Sequence, residues 1–182
     1  MAGDVFYKEI KPVVAPRGAI VPPGCVVEKA GTAAILRVPA GITHIATPLI
    51  FAAFTLVIEG PELTVDGPAI VDAAINVRNL DAPNTILRLP RQIEVIDLLR
   101  VRDVRALMVR AGRIEARTVE AERSVRARAD LIARTVRVHH GALRAARLIA
   151  EASQGENRAG ATIPWAVALT QGLVPDWLRT AG

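Results

Sequence analysis

From Ile93 to Val138 the chain repeats one short unit, an apolar residue, an intervening residue and a second apolar residue, and restarts it every five or six positions. The pairs are Ile93/Val95, Leu99/Val101, Val104/Ala106, Val109/Ala111, Ile114/Ala116, Val119/Ala121, Val125/Ala127, Leu131/Ala133 and Val136/Val138, with Ile132 the one apolar residue in a middle position. On an α-helix, steps of two and then three residues advance by about 200° and 300°, so these side chains would scatter around the cylinder and leave no dry face. Propensity points the other way, because Arg, Ala, Glu and Leu favour helices and no proline falls between residues 91 and 163. Periodicity is the stronger constraint. On a strand, residues i and i+2 share a face, so each pair marks a short strand with two inward side chains and one outward, followed by a corner.

Three such strands and corners make a coil of roughly 15 to 18 residues, and stacked coils make a solenoid. The expected fold is therefore all-β, a single-stranded parallel β-helix with three sides. Taking every third pair as one side, the outward columns read Glu94, Arg110, Arg126 on the first and Arg100, Glu115, Ile132, Arg147 on the second. The third reads Arg88, Arg105, Glu120, Arg137. Neighbours in a column lie about 4.8 Å apart, which sets Arg100 beside Glu115, and Arg105 beside Glu120 beside Arg137. Each exposed ion pair contributes only about 0 to 1 kcal/mol, against roughly 1.5 to 3 kcal/mol for burying one Val, Ile or Leu, so the inner stack must hold the structure together. Six of the nine pairs end in alanine, which implies a narrow bore.

The organisation along the chain follows from this pattern. Residues 1–24 read as an extended lead-in with a turn-rich end, because Pro22 and Pro23 exclude a central strand. Irregular coils are expected over residues 25–62, through Cys25/Val27, Leu36/Val38, Ile42/His44, Leu49/Phe51 and Val57. Regular coils follow over 63–150, from Leu63/Val65, Ala69/Val71, Ile75/Val77, Leu80/Ala82 and Leu87/Leu89 to Leu143/Ala145 and Leu148/Ala150. Turn sequences such as Glu59-Gly60-Pro61 and Ala82-Pro83-Asn84 fall where corners are required. Residues 151–182 read as a polar linker and a helical or irregular cap. Within it, Thr162 and Pro164 open a short helix from Trp165 to Gln171 that stops at Gly172, and Pro175 to Arg179 adds one turn. Trp165 and Trp177 are read as a plug for the open end of the solenoid, or else as a self-assembly contact.

Aromatic residues make up only 3% of the chain, which suits a slender aliphatic core rather than a globular one. The net charge is +5, and 20 of the 23 basic residues are arginine, 15 of them between Arg88 and Arg147. A solvated exterior laced with ion pairs accounts for many of these; Arg105, Arg110, Arg126 and Arg137 are the candidate polyanion face. The missing aromatic platforms argue against single-strand binding. Cys25 is the sole cysteine, which excludes an intrachain disulfide and points to a reducing compartment. Met1 to Lys11 contains no signal-peptide core, and the apolar run Thr47 to Ile58 contains Pro48 and is too short to span a bilayer. A cytoplasmic location is expected, with association at a membrane surface as the alternative.

No phosphate loop, paired cysteine ligands or Ser/His/Asp arrangement is legible, and no catalytic residue or cofactor is assigned. His44, His139 and His140 are the only histidines. Zinc held between subunits of a trimer would need three of them to converge, whereas adjacent His139 and His140 point in opposite directions on a strand. No metal site is expected. The run from Val109 to Ala127, Val-Arg-Ala-Gly-Arg-Ile-Glu-Ala-Arg-Thr-Val-Glu-Ala-Glu-Arg-Ser-Val-Arg-Ala, resembles the central domain of bactofilins over about residues 60 to 150. That resemblance implies a three-sided, right-handed solenoid that assembles end to end into filaments without nucleotide, often at membranes. The long irregular N-terminal section and the Trp-containing tail depart from the family pattern. The functional expectation is a non-enzymatic filament or scaffold subunit whose partner is itself. The alternative is a module that binds nucleic acid or another polyanion through its arginine faces. An enzyme of the polysaccharide-cleaving β-helix kind ranks third, for want of a groove with catalytic residues.

Overall fold

A computed structural model describes residues 10–12, 20–67 and 72–179. The expected lead-in at 1–9 and 13–19 and the pair Ala69/Val71 lie outside the described residues. Of the described residues 69% are strand and 6% helix, wound as a parallel β-solenoid of about seven turns, so periodicity prevails over helix propensity. The strands are β1 (Ile10–Pro12), β2 (Val26–Ala30), β3 (Ala33–Val38), β4 (His44–Ile45), β5 (Leu49–Ile58), β6 (Glu62–Val65) and β7 (Ala73–Arg88). They continue through β8 (Gln92–Ala127), β9 (Asp130–Arg144), β10 (Arg147–Ala150), β11 (Ala152–Asn157) and β12 (Ala161–Pro164). Two short helices close the described chain, α1 (Trp165–Thr170) and α2 (Asp176–Arg179).

The long strands bend at corners. Between β7 and β8 the pairing falls into three runs, Ile75 to Val77 on Ile93 to Val95, Leu80 to Ala82 on Leu99 to Val101, and Ile86 to Arg88 on Asp103 to Arg105. The register shifts between the runs, which is what a three-sided coil requires. All 18 side chains of the nine regular pairs are buried, and they form one aliphatic stack. One inner column runs almost the length of the molecule: Leu36 pairs with Leu56, Leu56 with Leu80, and Leu80 with Leu99. Ile114 pairs with Leu131, Leu131 with Leu148, and Leu148 with Thr162. Branched residues recur here because each must fill the layer between two others, and alanine at the partner position keeps the bore narrow. The N-terminal coils are wider, as their uneven turns imply, with paired residues 20 apart at Leu36/Leu56 and 24 apart at Leu56/Leu80, against 17 at Ile114/Leu131.

Where successive coils meet at a corner, a side chain has no room. A Cβ on Gly141 would run into the Arg123 carbonyl, so this position is restricted to glycine by the backbone below it.

Several expectations are corrected. Cys25/Val27 does not begin a parallel coil: β2 lies antiparallel to β3, with Ala30 opposite Ala33, and β1 lies antiparallel to β2. The turn Gly31-Thr32 makes this hairpin, with Gly31 at φ +60°. His44 is exposed and Ile45 is the inward residue, while Phe54, Leu56 and Ile58 point inward around a half-buried Val57. The segment read as a linker is a further coil, since β11 pairs in parallel with β9 and β12 with β10. It is polar because its inward positions, Ser153, Asn157 and Thr162 opposite Val136, Leu143 and Leu148, face the end of the stack. Thr162 is in β12 and accepts a hydrogen bond from Asn157 Nδ2 at 3.0 Å, so Pro164 precedes the first helical residue in its place.

Candidate functional site

Among the described residues the candidate sites are surfaces: three side faces and the C-terminal edge. The first face is built on the outward column Asp81, Arg100, Glu115, Ile132, Ile149, Ile163. Ile149, and not Arg147, follows Ile132; Arg147 stands two residues earlier at the start of the same strand, opposite Asp130. The upper half of this column is an apolar stripe, and the chain uses it at once. After Pro164 ends β12, α1 and α2 fold back along the flank and bury Trp165, Ala168, Val174 and Leu178 on Ile132 and Ile149. Gly172, at φ +70°, turns the chain between them, with the Leu173 N–H donating to Ala168 O at 2.9 Å.

The tryptophans therefore do not plug the open end. Trp165 is 3% exposed inside this second cluster, with the Arg134 guanidinium 5.6 Å from its ring centre. Trp177 lies lower on the same face, where its indole N–H donates to Glu115 Oε1 at 2.8 Å and the Arg100 guanidinium lies 6.0 Å from its ring. Glu115 is 4% exposed, yet it carries a satisfied charge: Arg113 Nε donates at 2.8 Å and Arg100 Nε at 3.4 Å. Burial alone would raise its pKa, but the hydrogen bonds from Trp177 and Arg113 and the two guanidinium charges outweigh it and hold the carboxyl below its ordinary value. Asp130 beside it is likewise lowered, first by the hydrogen bond from Arg147, and it bridges Arg147 and Arg113 at 2.8 and 2.9 Å. The sequence reading had Glu115 as one rung of an ion-pair ladder. It missed that Glu115 anchors the tail, although the apolar Ile132 in the next rung was the visible sign that this face is covered.

The four arginines of the candidate polyanion face divide between the other two sides. Arg105 and Arg137 flank Glu120, with Arg105 Nε 3.9 Å from it, in the column Arg88, Arg105, Glu120, Arg137. His139 completes that cluster at 2.7 Å and is the first cause of a lowered Glu120 pKa. Arg110 and Arg126 stand on the remaining side, with Arg144 next in register after Arg126. His44 is paired with Asp66 at 2.9 Å, and among the described residues no three His, Cys, Asp or Glu side chains converge as metal ligands. Among the described residues no helix is long and apolar enough to cross a membrane.

The last surface is the C-terminal edge. Among the described residues β11 pairs only with β9, and β12 only with β10. All six β11 residues are exposed, and the helices lie on the flank rather than over this coil. Comparison with known proteins brings no relative to bear on these surfaces: no family model, curated protein or solved structure matches the chain.

Proposed function

We propose that this chain is a non-enzymatic structural subunit that joins to further copies of itself, end to end, through the open coil β11/β12. The observation that carries this reading is the position of the tail. A segment long enough to cover the last coil folds onto the side of the solenoid instead, and among the described residues the backbone donors and acceptors of β11 and β12 have a strand on one side only. An uncovered parallel edge is a template for strand addition, in which main-chain hydrogen bonds supply the association. Its inward positions Ser153, Asn157 and Thr162 are polar, which lowers the apolar surface that the free subunit presents at this end. The bulge at Gly155 and the Glu156/Arg158 pair limit which edges can dock there. The opposite end is built differently, with β1 outermost and antiparallel to β2, and a head-to-tail join between unlike ends propagates where a join between like ends would stop at two copies.

Sedimentation and electron microscopy across a concentration series test the proposal with two single variants, Ser153→Pro and Gln154→Pro. Neighbouring residues in a parallel strand point their N–H groups to opposite sides, so one substitution removes a free edge donor and the other removes a bond to β9. Elongated assemblies are expected for the parent chain, and one of the two variants should remain monomeric with an unchanged melting temperature. A parent chain that stays monomeric at every concentration, or assembly undiminished in both variants, would overturn the proposal.

A further inference from the structure

We infer that Arg110, Arg126 and Arg144 form a rail for the phosphate backbone of double-stranded nucleic acid, on a side of the solenoid that neither the tail nor the open edge occupies. The outward charges are answered differently on the three sides. On the Trp177 face Arg100 meets Asp81 and Glu115, and at the adjoining corner Arg113 and Arg147 share Asp130. On the Glu120 face Arg105 meets Glu120, and Arg88 meets Glu62. On the remaining side Arg110 and Arg126 are exposed and, among the described residues, neither has an ion pair or hydrogen bond. Arg126 is paired rung to rung with Arg144, which is also exposed. Like charges directly opposite across a ladder, about 5 Å apart, repel and are destabilising. Placing three of them in succession, where glutamates serve elsewhere, is the arrangement expected of a site whose counter-charge comes from outside the chain.

The surroundings fit an extended anion. A shallow cleft of about 210 Å³ lies beside Arg110 and Arg126, bordered by Glu94 and Arg128. A second, of about 270 Å³, is lined by Arg110, Ser124, Arg126, Ala142 and Arg144, and brings a serine hydroxyl to the row. Glu94 at one end, and at the other Glu156, whose carboxyl is held below its ordinary value first by Arg158 and in part by Arg144, limit the unanswered charge to this stretch. The arginines stand on β8 and β9, so their spacing is fixed before a ligand arrives, and the guanidinium fork matches phosphate oxygens. No aromatic ring lines either cleft, which removes the stacking platform that single strands use and leaves backbone contact to a duplex. The row reads charge and not sequence.

Fluorescence anisotropy with a labelled mixed-sequence DNA duplex, titrated at several salt concentrations, tests this. Three phosphate contacts predict a slope of log affinity against log salt of about −3, and the double variant R110Q/R126Q should bring it to about −1. The charge-matched control R105Q/R137Q, on the Glu120 face, should leave the slope unchanged, with melting curves confirming that both variants fold. Absence of duplex binding at low salt, equal loss in the two double variants, or tighter binding to phosphatidylserine vesicles than to duplex would each overturn the inference.

Discussion

One outward column of the solenoid behaves in two ways along its length. Below the rung at Glu115 it alternates charge, Asp81, Arg100, Glu115, and faces solvent or its own ion pairs; above it the residues are Ile132, Ile149 and Ile163, and the chain's own helices cover them. The inward neighbours hardly change across that boundary, with Leu99, Ile114, Leu131 and Leu148 all buried. In a solenoid, then, the inside fixes the fold and leaves each outward rung free to take up a local task. Glu115 joins the two halves, bound to the ladder through Arg100 and Arg113 and to the tail through Trp177.

The comparison breaks most completely if the covered half is stripped. Trp165→Ala removes the largest side chain of the second cluster, and urea unfolding should show a loss of about 3 to 5 kcal/mol, with the tail released and Ile132 and Ile149 bound by an apolar dye. A smaller effect is expected where the halves join. Glu115→Gln keeps the volume but discards the charge that Arg113, Arg100 and Trp177 address, for a loss of about 1.5 to 3 kcal/mol by the same assay. Acid should act on the same group. Because the folded-state pKa values of Glu115 and Asp130 lie below their ordinary values of 4.5 and 3.8, the stabilisation is complete above the unfolded values and is lost as pH falls through the folded ones. Trp177 fluorescence in a W165F background should report that transition, and Glu115→Gln should weaken it.

Beneath both halves runs the same bore, and Ala116→Phe should overpack it at a cost of about 1 to 3 kcal/mol, read as a lower melting temperature. A melt identical to that of the parent would contradict the inward assignment of Ala116. The smallest effect belongs to the open ladder. Arg105→Ala removes an exposed pair with Glu120 and should cost about 0 to 1 kcal/mol, less still in high salt, in chemical denaturation.

The regular coils were legible because their pattern is local: a period of two within each pair states which side chains go inward, and every pair from Ile93/Val95 to Val136/Val138 does so. The columns on the Glu120 and arginine sides followed from counting pairs. Arg147 falls outside its expected column because it precedes the pair Leu148/Ala150, whose middle residue, Ile149, is the outward one. The polar final coil was hidden for a physical reason. Its inward side chains have no layer above them, so the apolar signature used to find coils is absent where the stack ends. The N-terminal hairpin does have a local signature, Gly31-Thr32 between two β-rich runs, which fits a two-residue turn. Of the candidate sites, counting pairs already sets Arg110 and Arg126 on a different side from Arg105 and Arg137, so the four do not make one face. The sequence reading set Trp165 and Trp177 at the end of the stack because no local pattern tells a tail which surface it will cover.

Backbone and indole NMR contacts in the isotopically labelled protein test the central claim, a stack of parallel coils with its tail on the flank, most directly. Cross-strand contacts of Ile114 with Leu131, Val119 with Val136 and Val125 with Leu143 are predicted, together with an indole contact from Trp177 to Glu115. Sequential helical contacts through residues 93–138, or Trp177 contacts confined to β11 and β12, would contradict it.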